Sequence, residues 1–184
     1  MIVKQTKIQG LLIIEPKVFG DNRGYFFESW NHKDALNNNL QFLPIQHNES
    51  SSSYGVIRGL HYQLNPYAQS KLVRVVYGNV LDVAVDLRKD SSTFGQYVAV
   101  ELSGENKLQF LIPRGFAHGF AVLSEKVVFS YLCDEYYSPE SERGIIYNDK
   151  TLNIDWKIPQ DKIIVSEKDT KNPLFSNAEM NFKI

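Results

Sequence analysis

Short apolar and aromatic runs divided by turn residues predict an all-β fold for this chain: an antiparallel jelly-roll sandwich or barrel with short peripheral helices and an irregular C-terminal segment. Three observations carry that expectation. Aromatic residues make up 12% of 184 positions while only 2 are Met, a balance that suits flat-packing strands better than a helical bundle. Strand-length segments through the middle of the chain alternate in polarity. No internal repeat of about 20–50 residues marks a propeller or solenoid.

The elements follow in order. Leu11–Ile14 is a short apolar strand, and Gly20-Asp-Asn-Arg-Gly24 is a turn after which Tyr25–Trp30 resumes an aromatic strand pattern. Asn31 caps a turn or two of helix that Asn37-Asn38-Asn39 ends. Ser50–Ser53 reads as a polar loop. From Lys71 to Tyr77 odd positions share one face, and from Val80 to Leu87 Leu81, Val83, Val85 and Leu87 share another, so the pair reads as a hairpin around Gly78-Asn79. Tyr97–Leu102 and Leu108–Ile112 are further strands. Phe120–Leu123 with Val127–Cys133 is a second hairpin candidate, Tyr131 lying on the same face as Val127, Phe129 and Cys133. Beyond Pro139 the pattern weakens into segments that wrap the barrel. Residues 1–184 are read as a single domain.

Charge and cysteine content narrow the function. Lys plus Arg number 20 against 21 Asp plus Glu, so a net charge of −1 gives no global attraction to nucleic acid or an anionic membrane. Any anionic ligand must be met by local cations. The single cysteine, Cys133, excludes an intramolecular disulfide, and no His/Cys cluster has zinc-finger spacing. Leu11–Ile14 is too short to span a bilayer and no signal-peptide core follows Lys4 and Lys7, so a cytoplasmic protein is expected.

Two stretches carry candidate chemistry: Arg58-Gly-Leu-His-Tyr-Gln63, followed by Lys71, and Ile112-Pro-Arg-Gly-Phe-Ala-His-Gly119. Each sets a histidine beside glycine in strand context, where a backbone or ligand can approach closely. Pro113-x-Gly115-x-x-His118 resembles the second cupin motif. The first motif departs from the metal-binding form, because Gln63 follows His61 and Tyr67-Ala68 occupy the place of the glutamate. A carboxamide is a poor ligand for a divalent metal beside imidazole and carboxylate, so no metal is expected. His61 and Lys71 then suit enolate chemistry, a neutral imidazole taking a proton while an ammonium stabilises the oxyanion. For a ketone the gap to histidine is roughly a dozen pKa units, about 16–18 kcal/mol at ~1.36 kcal/mol per unit, so a base without the cation is insufficient. Tyr131, from another strand, could reprotonate the opposite face of the carbon and invert it.

Nine collinear stretches give a more specific signal: residues 21–28, 46–48, 58–63, 70–74, 78–86, 92–95, 112–120, 136–142 and 166–169. Together they resemble the dTDP-4-dehydrorhamnose 3,5-epimerase family of cofactor-free cupins, over about residues 1 to 175. The resemblance implies His61 as base, Asp169 as its partner, Lys71 as the cation at the sugar C4 oxygen and Tyr131 as acid. It implies substrate contacts from Arg23, Glu28, Gln46, Asn48, Arg58, His118, Glu142 and Lys168, with Tyr137 stacked on thymine. It further implies a dTDP-sugar substrate, no cofactor, and a homodimer in which Arg23 and Glu28 reach the neighbouring subunit's site.

Without the resemblance, His61 reads first as a structural histidine, Tyr131 as a packed ring, Lys71 as a snorkelling side chain and Asp169 as part of a solvated turn. His118 has three open roles: contacting phosphate, orienting His61, or filling the barrel mouth. The alternatives in function are a 3-epimerase or 3,4-ketoisomerase on a related nucleotide sugar, and a non-catalytic cupin that binds one.

Overall fold

The computed structural model describes residues 1–184. Its first sheet contains β1 (Ile2–Gln5), β2 (Leu12–Glu15), β5 (Gln46–Ser53), β7 (Lys71–Tyr77), β10 (Gln109–Ile112) and β12 (Lys126–Cys133). Its order is β1-β2-β10-β7-β12-β5, all neighbours antiparallel. The second sheet contains β6 (Val56–Gln63), β8 (Asn79–Asp86), β9 (Tyr97–Ser103), β11 (Phe116–Val122) and β13 (Glu142–Gly144) in the order β13-β6-β11-β8-β9, with β14 (Ile164–Val165) added in parallel to β6. A separate hairpin joins β3 (Phe19–Asp21) to β4 (Gly24–Phe26). This is the expected jelly roll. No helix is long and apolar enough to cross a membrane.

Three apolar layers hold it. Val73, Val75, Phe110, Ile112, Phe120 and Phe129 fill the space between the sheets. Leu81, Val83, Val85 and Leu87 turn to the outer face of the second sheet, where Trp156, Met180 and Phe182 from the C-terminal segment cover them. Leu72 and Leu111 on the outer face of the first sheet meet Ala35 of α1 (His32–Asn37), Leu40 and Phe42. At about 25 cal/mol per Å² these layers are the main favourable term in the fold. The Asn31 cap is present, its side chain accepting from the Asp34 N–H at 3.1 Å.

Both expected hairpins are corrected. β7 bonds to β10 and β12 whereas β8 bonds to β11 and β9, and β11 likewise lies in the opposite sheet from β12. Alternation reports which faces are buried, and both faces of β8 are; it does not say which neighbour supplies the ladder. Ser50–Ser53 is also a strand, paired with Lys126–Phe129 at the sheet edge, because the cross-strand ladder overrides the turn preference of serine. The strand expected over Tyr25–Trp30 stops at Phe26; Trp30 instead packs edge-on against Phe42, with ring centroids 5.2 Å apart.

Candidate active site

The first sheet contributes Lys71 and Tyr131, the second His61 and His118, and all four line one cleft of about 400 Å³. Simple alternation would put Arg58 and His61 on opposite faces of β6. They line the same cleft because β6 bulges at Gly59: on β11 the step from His118 to Phe120 spans two residues, and its partners His61 and Arg58 span three. Bare glycine is required there. A Cβ on Gly59 would lie 2.5 Å from the Gly119 Cα, and one on Gly119 would lie 2.8 Å from the Arg58 carbonyl oxygen.

Asp169 reaches the cleft from α2 (Glu167–Thr170), a single turn whose cap, the Ser166 hydroxyl, accepts from the Asp169 N–H. Its carboxylate is buried, 2.6 Å from His61 Nε2, with the Gly59 N–H at 3.5 Å. Burial pushes the Asp169 carboxyl up, but the hydrogen bond and charge of His61, helped by Gly59 and Ser166, more than offset it and hold the group below its ordinary value. An ionised Asp169 fixes Nε2 as the donor of a neutral ring, leaving His61 Nδ1, which has no protein partner, as the basic nitrogen.

Across the cleft Lys71 has no ion pair, and its ammonium lies 6.0 Å from the Tyr131 ring centroid. Burial pulls Lys71 below its ordinary value, opposed by Cys133, Glu142 and Asp82. Burial raises the Tyr131 phenol, which keeps its proton available for donation. A second lobe of about 330 Å³ shares His61, Lys71 and Tyr131 and adds Gln46, Asn48, Tyr137 and Glu142. At its rim the Tyr137 hydroxyl donates to Glu142 at 2.8 Å, Lys168 pairs with the same carboxylate, and the Tyr137 N–H donates to Gln46. Burial raises the Glu142 carboxyl, yet bonds from Lys168 and Tyr137 bring it below its ordinary value.

An imidazole with its carboxylate partner thus faces a phenol and an unpaired ammonium across one cleft. The family model for dTDP-4-dehydrorhamnose 3,5-epimerase matches residues 5–177. The dTDP-4-dehydrorhamnose 3,5-epimerase of Shigella flexneri is 52% identical over 182 residues, covering 97% of this chain and 98% of that one. The crystal structure of the Elizabethkingia anophelis dTDP-4-dehydrorhamnose 3,5-epimerase is 53% identical with a TM-score of 0.91, over 96% of this chain and 97% of that one. That of a Legionella pneumophila dTDP-6-deoxy-D-glucose-3,5-epimerase, in complex with dTDP-4-keto-L-rhamnose, is 49% identical with a TM-score of 0.92, over 96% and 93%. This chain belongs to the dTDP-4-dehydrorhamnose 3,5-epimerase family.

Of the residues expected from the resemblance, His61, Lys71, Arg58, His118, Tyr131, Lys168 and Asp169 line the first lobe of this epimerase, and Gln46, Asn48, Tyr137 and Glu142 the second. Arg23 and Glu28 are not brought there. Arg23 stands exposed at the β3–β4 turn, paired with Asp21, and Glu28 accepts from Asn31. The Gln63 amide donates to the carbonyls of Tyr67 and Tyr136 and accepts from the Ser138 N–H, so it ties two rim loops together. Sequence reading missed Phe129, whose ring lies against His118 at 6.1 Å and 24°; its place two residues before Tyr131 on the same face was the available signal. Cys133 is buried and its thiol is pushed up to about 11, mainly by burial.

Proposed function

We propose that this epimerase acts on dTDP-4-dehydro-6-deoxy-D-glucose and inverts C3 and C5 to give dTDP-4-dehydro-L-rhamnose, with the residues of the cleft in the following roles. His61 Nδ1 removes the α-proton while Nε2 donates to Asp169, which stabilises the imidazolium that forms. Lys71 donates to the C4 oxygen as it becomes an enolate, lowering a barrier that imidazole by itself does not overcome. Tyr131 returns a proton from the other face. C3 and C5 both flank the C4 ketone, so one base, one cation and one acid serve both centres in turn.

The observation that carries this reading is the opposition of the His61–Asp169 pair on one sheet to Lys71 and Tyr131 on the other. Tyr137 and Glu142 form the rim of the lobe that takes the nucleotide. Arg58 and Lys168 supply cations for the diphosphate, Arg58 through a planar donor fork. Arg23 and Glu28 act in the site of a second copy, which makes the working form a homodimer; the exposed Phe19, Tyr25 and Phe26 of the hairpin that carries Arg23 support that arrangement.

Proton NMR of the enzyme with dTDP-4-dehydro-6-deoxyglucose in D2O tests the reaction. Deuterium at both C3 and C5 of an inverted product is expected. Label at C3 alone points to a 3-epimerase, and no exchange at either carbon to a binding protein.

A further inference from the structure

Asp82 has no part in the reaction above, yet it is a fully buried carboxylate on β8 with both oxygens 3.0 Å from Nε2 of His118 on the adjacent β11. A buried carboxylate without a compensating charge is strongly unfavourable, so its partner's charge state is a real structural question. The His118 side chain is only 9% exposed and Phe129 covers one ring face, so bulk water does little to screen the pair. With Nε2 committed to Asp82, Nδ1 is the nitrogen left for the cleft that His118 lines; it has no protein partner and is not among the sealed, unsatisfied atoms.

The surroundings fix where that nitrogen acts. His118 is in register with His61 on β6, and Lys71 of β7 and Tyr131 of β12 line the same lobe, whereas the lobe of Gln46, Asn48 and Tyr137 excludes it. His118 therefore shares a lobe with His61, Lys71 and Tyr131 and stands apart from Tyr137. Among these groups Asp82 is the carboxylate sealed behind the cations, and Asp169 is already bonded to His61.

We propose that Asp82 is a positioning residue that holds His118 as an imidazolium with its Nδ1–H presented to the cleft, making it a second charged donor beside Lys71 for the oxygen that becomes negative. A charged donor makes a hydrogen bond roughly twice as strong as a neutral one, so the effect of Asp82 is felt most in the transition state. The proposal rests on the enolate reading above and assigns a charge state and a source for it, neither of which that reading requires.

Asp82→Asn keeps the shape and an acceptor for His118 but removes the charge. The expected variant binds dTDP within about twofold of the wild type, keeps its KM, and incorporates deuterium at C3 and C5 about 10- to 100-fold more slowly, a smaller loss than deleting an oxyanion donor. In wild-type enzyme labelled with 15N-histidine, both His118 nitrogens are expected to have imidazolium shifts at neutral pH, reverting to a neutral tautomer in Asp82→Asn. A folded Asp82→Asn enzyme with wild-type kcat overturns the proposal, as does a neutral His118 in the wild type. If the variant does not fold, the wild-type spectrum decides. Failure of the enzyme reading looks different: wild-type protein would then exchange no proton at C3 or C5 whatever the state of His118.

Discussion

Replacing Asp169 by Asn isolates the charge behind the base. The two side chains have nearly the same shape, and the Asn carbonyl can still accept from His61 Nε2 at the 2.6 Å position, so ring orientation survives. What disappears, on the proposed mechanism, is the ion pair that forms when His61 takes the substrate proton. Hydrogen bonds to a charged partner contribute about 1.5–3 kcal/mol. Asp169 is 4% exposed and the His61 side chain 30%, which places the pair toward the upper half of that range. At about 1.4 kcal/mol per factor of ten, Asp169→Asn should slow deuterium entry at C3 and C5 roughly 40- to 150-fold. Affinity for dTDP, measured by calorimetry, should not change, because Asp169 is absent from the lobe of Tyr137. The assay is NMR wash-in under single-turnover conditions, which separates chemistry from product release. An Asp169→Asn enzyme within threefold of the wild-type exchange rate would show that the carboxylate does not stabilise the imidazolium.

Three other outcomes are expected. Tyr131→Phe should leave deuterium wash-in by His61 largely intact while inverted product falls about 100-fold or more, the usual contribution of a general acid; equal losses of both would rule out Tyr131 as the acid. Gly119→Ala should cost about 1–3 kcal/mol by overpacking against the Arg58 carbonyl, or about 2–12 °C by scanning calorimetry for a chain of this size, and an unchanged Tm would contradict the close approach. Asp86 is buried, which raises its carboxyl, but hydrogen bonds from Arg88, Ser91 and Thr93 bring it below the ordinary value. A depressed folded-state pKa gives stability that is complete above the unfolded value and lost as pH falls through the folded one, so the loss lies below about pH 4. Asp86→Asn should flatten urea stability against pH in that window, and a slope equal to the wild type's would count against it.

The residues that line the cleft were legible through the resemblance more than through local pattern, since taken singly His61 reads as a structural histidine, Lys71 as a snorkelling side chain and Tyr131 as a packed ring. His61 lies between glycine and glutamine, Lys71 begins a clean alternation, and Tyr131 shares a face with Val127 and Phe129. The partners were less legible, since Asp169 approaches His61 across 108 positions of sequence and only tertiary folding makes it a buried carboxylate. Strand pairing was the least legible. The polarity of Lys71–Leu87 is as compatible with a hairpin as with a crossing between sheets, and the ladder partners that decide between them, β9 to β12, come later in the chain. The bulge at Gly59 lay beyond the alternation rule for the same reason: an extra residue on β6 is visible only against β11.

The ammonium and the phenol hang from one sheet while both imidazoles and Asp82 hang from the other, so the span between His61 and Tyr131 is set by the gap between two layers packed about 10 Å apart. With the roles proposed above, catalysis becomes a gauge of interlayer spacing. Mild acid or low denaturant that swells the sandwich while leaving its ladders formed should extinguish turnover before far-UV circular dichroism changes, and a large-to-small change at Phe110, remote from the cleft lining, should do so by slackening the same gap.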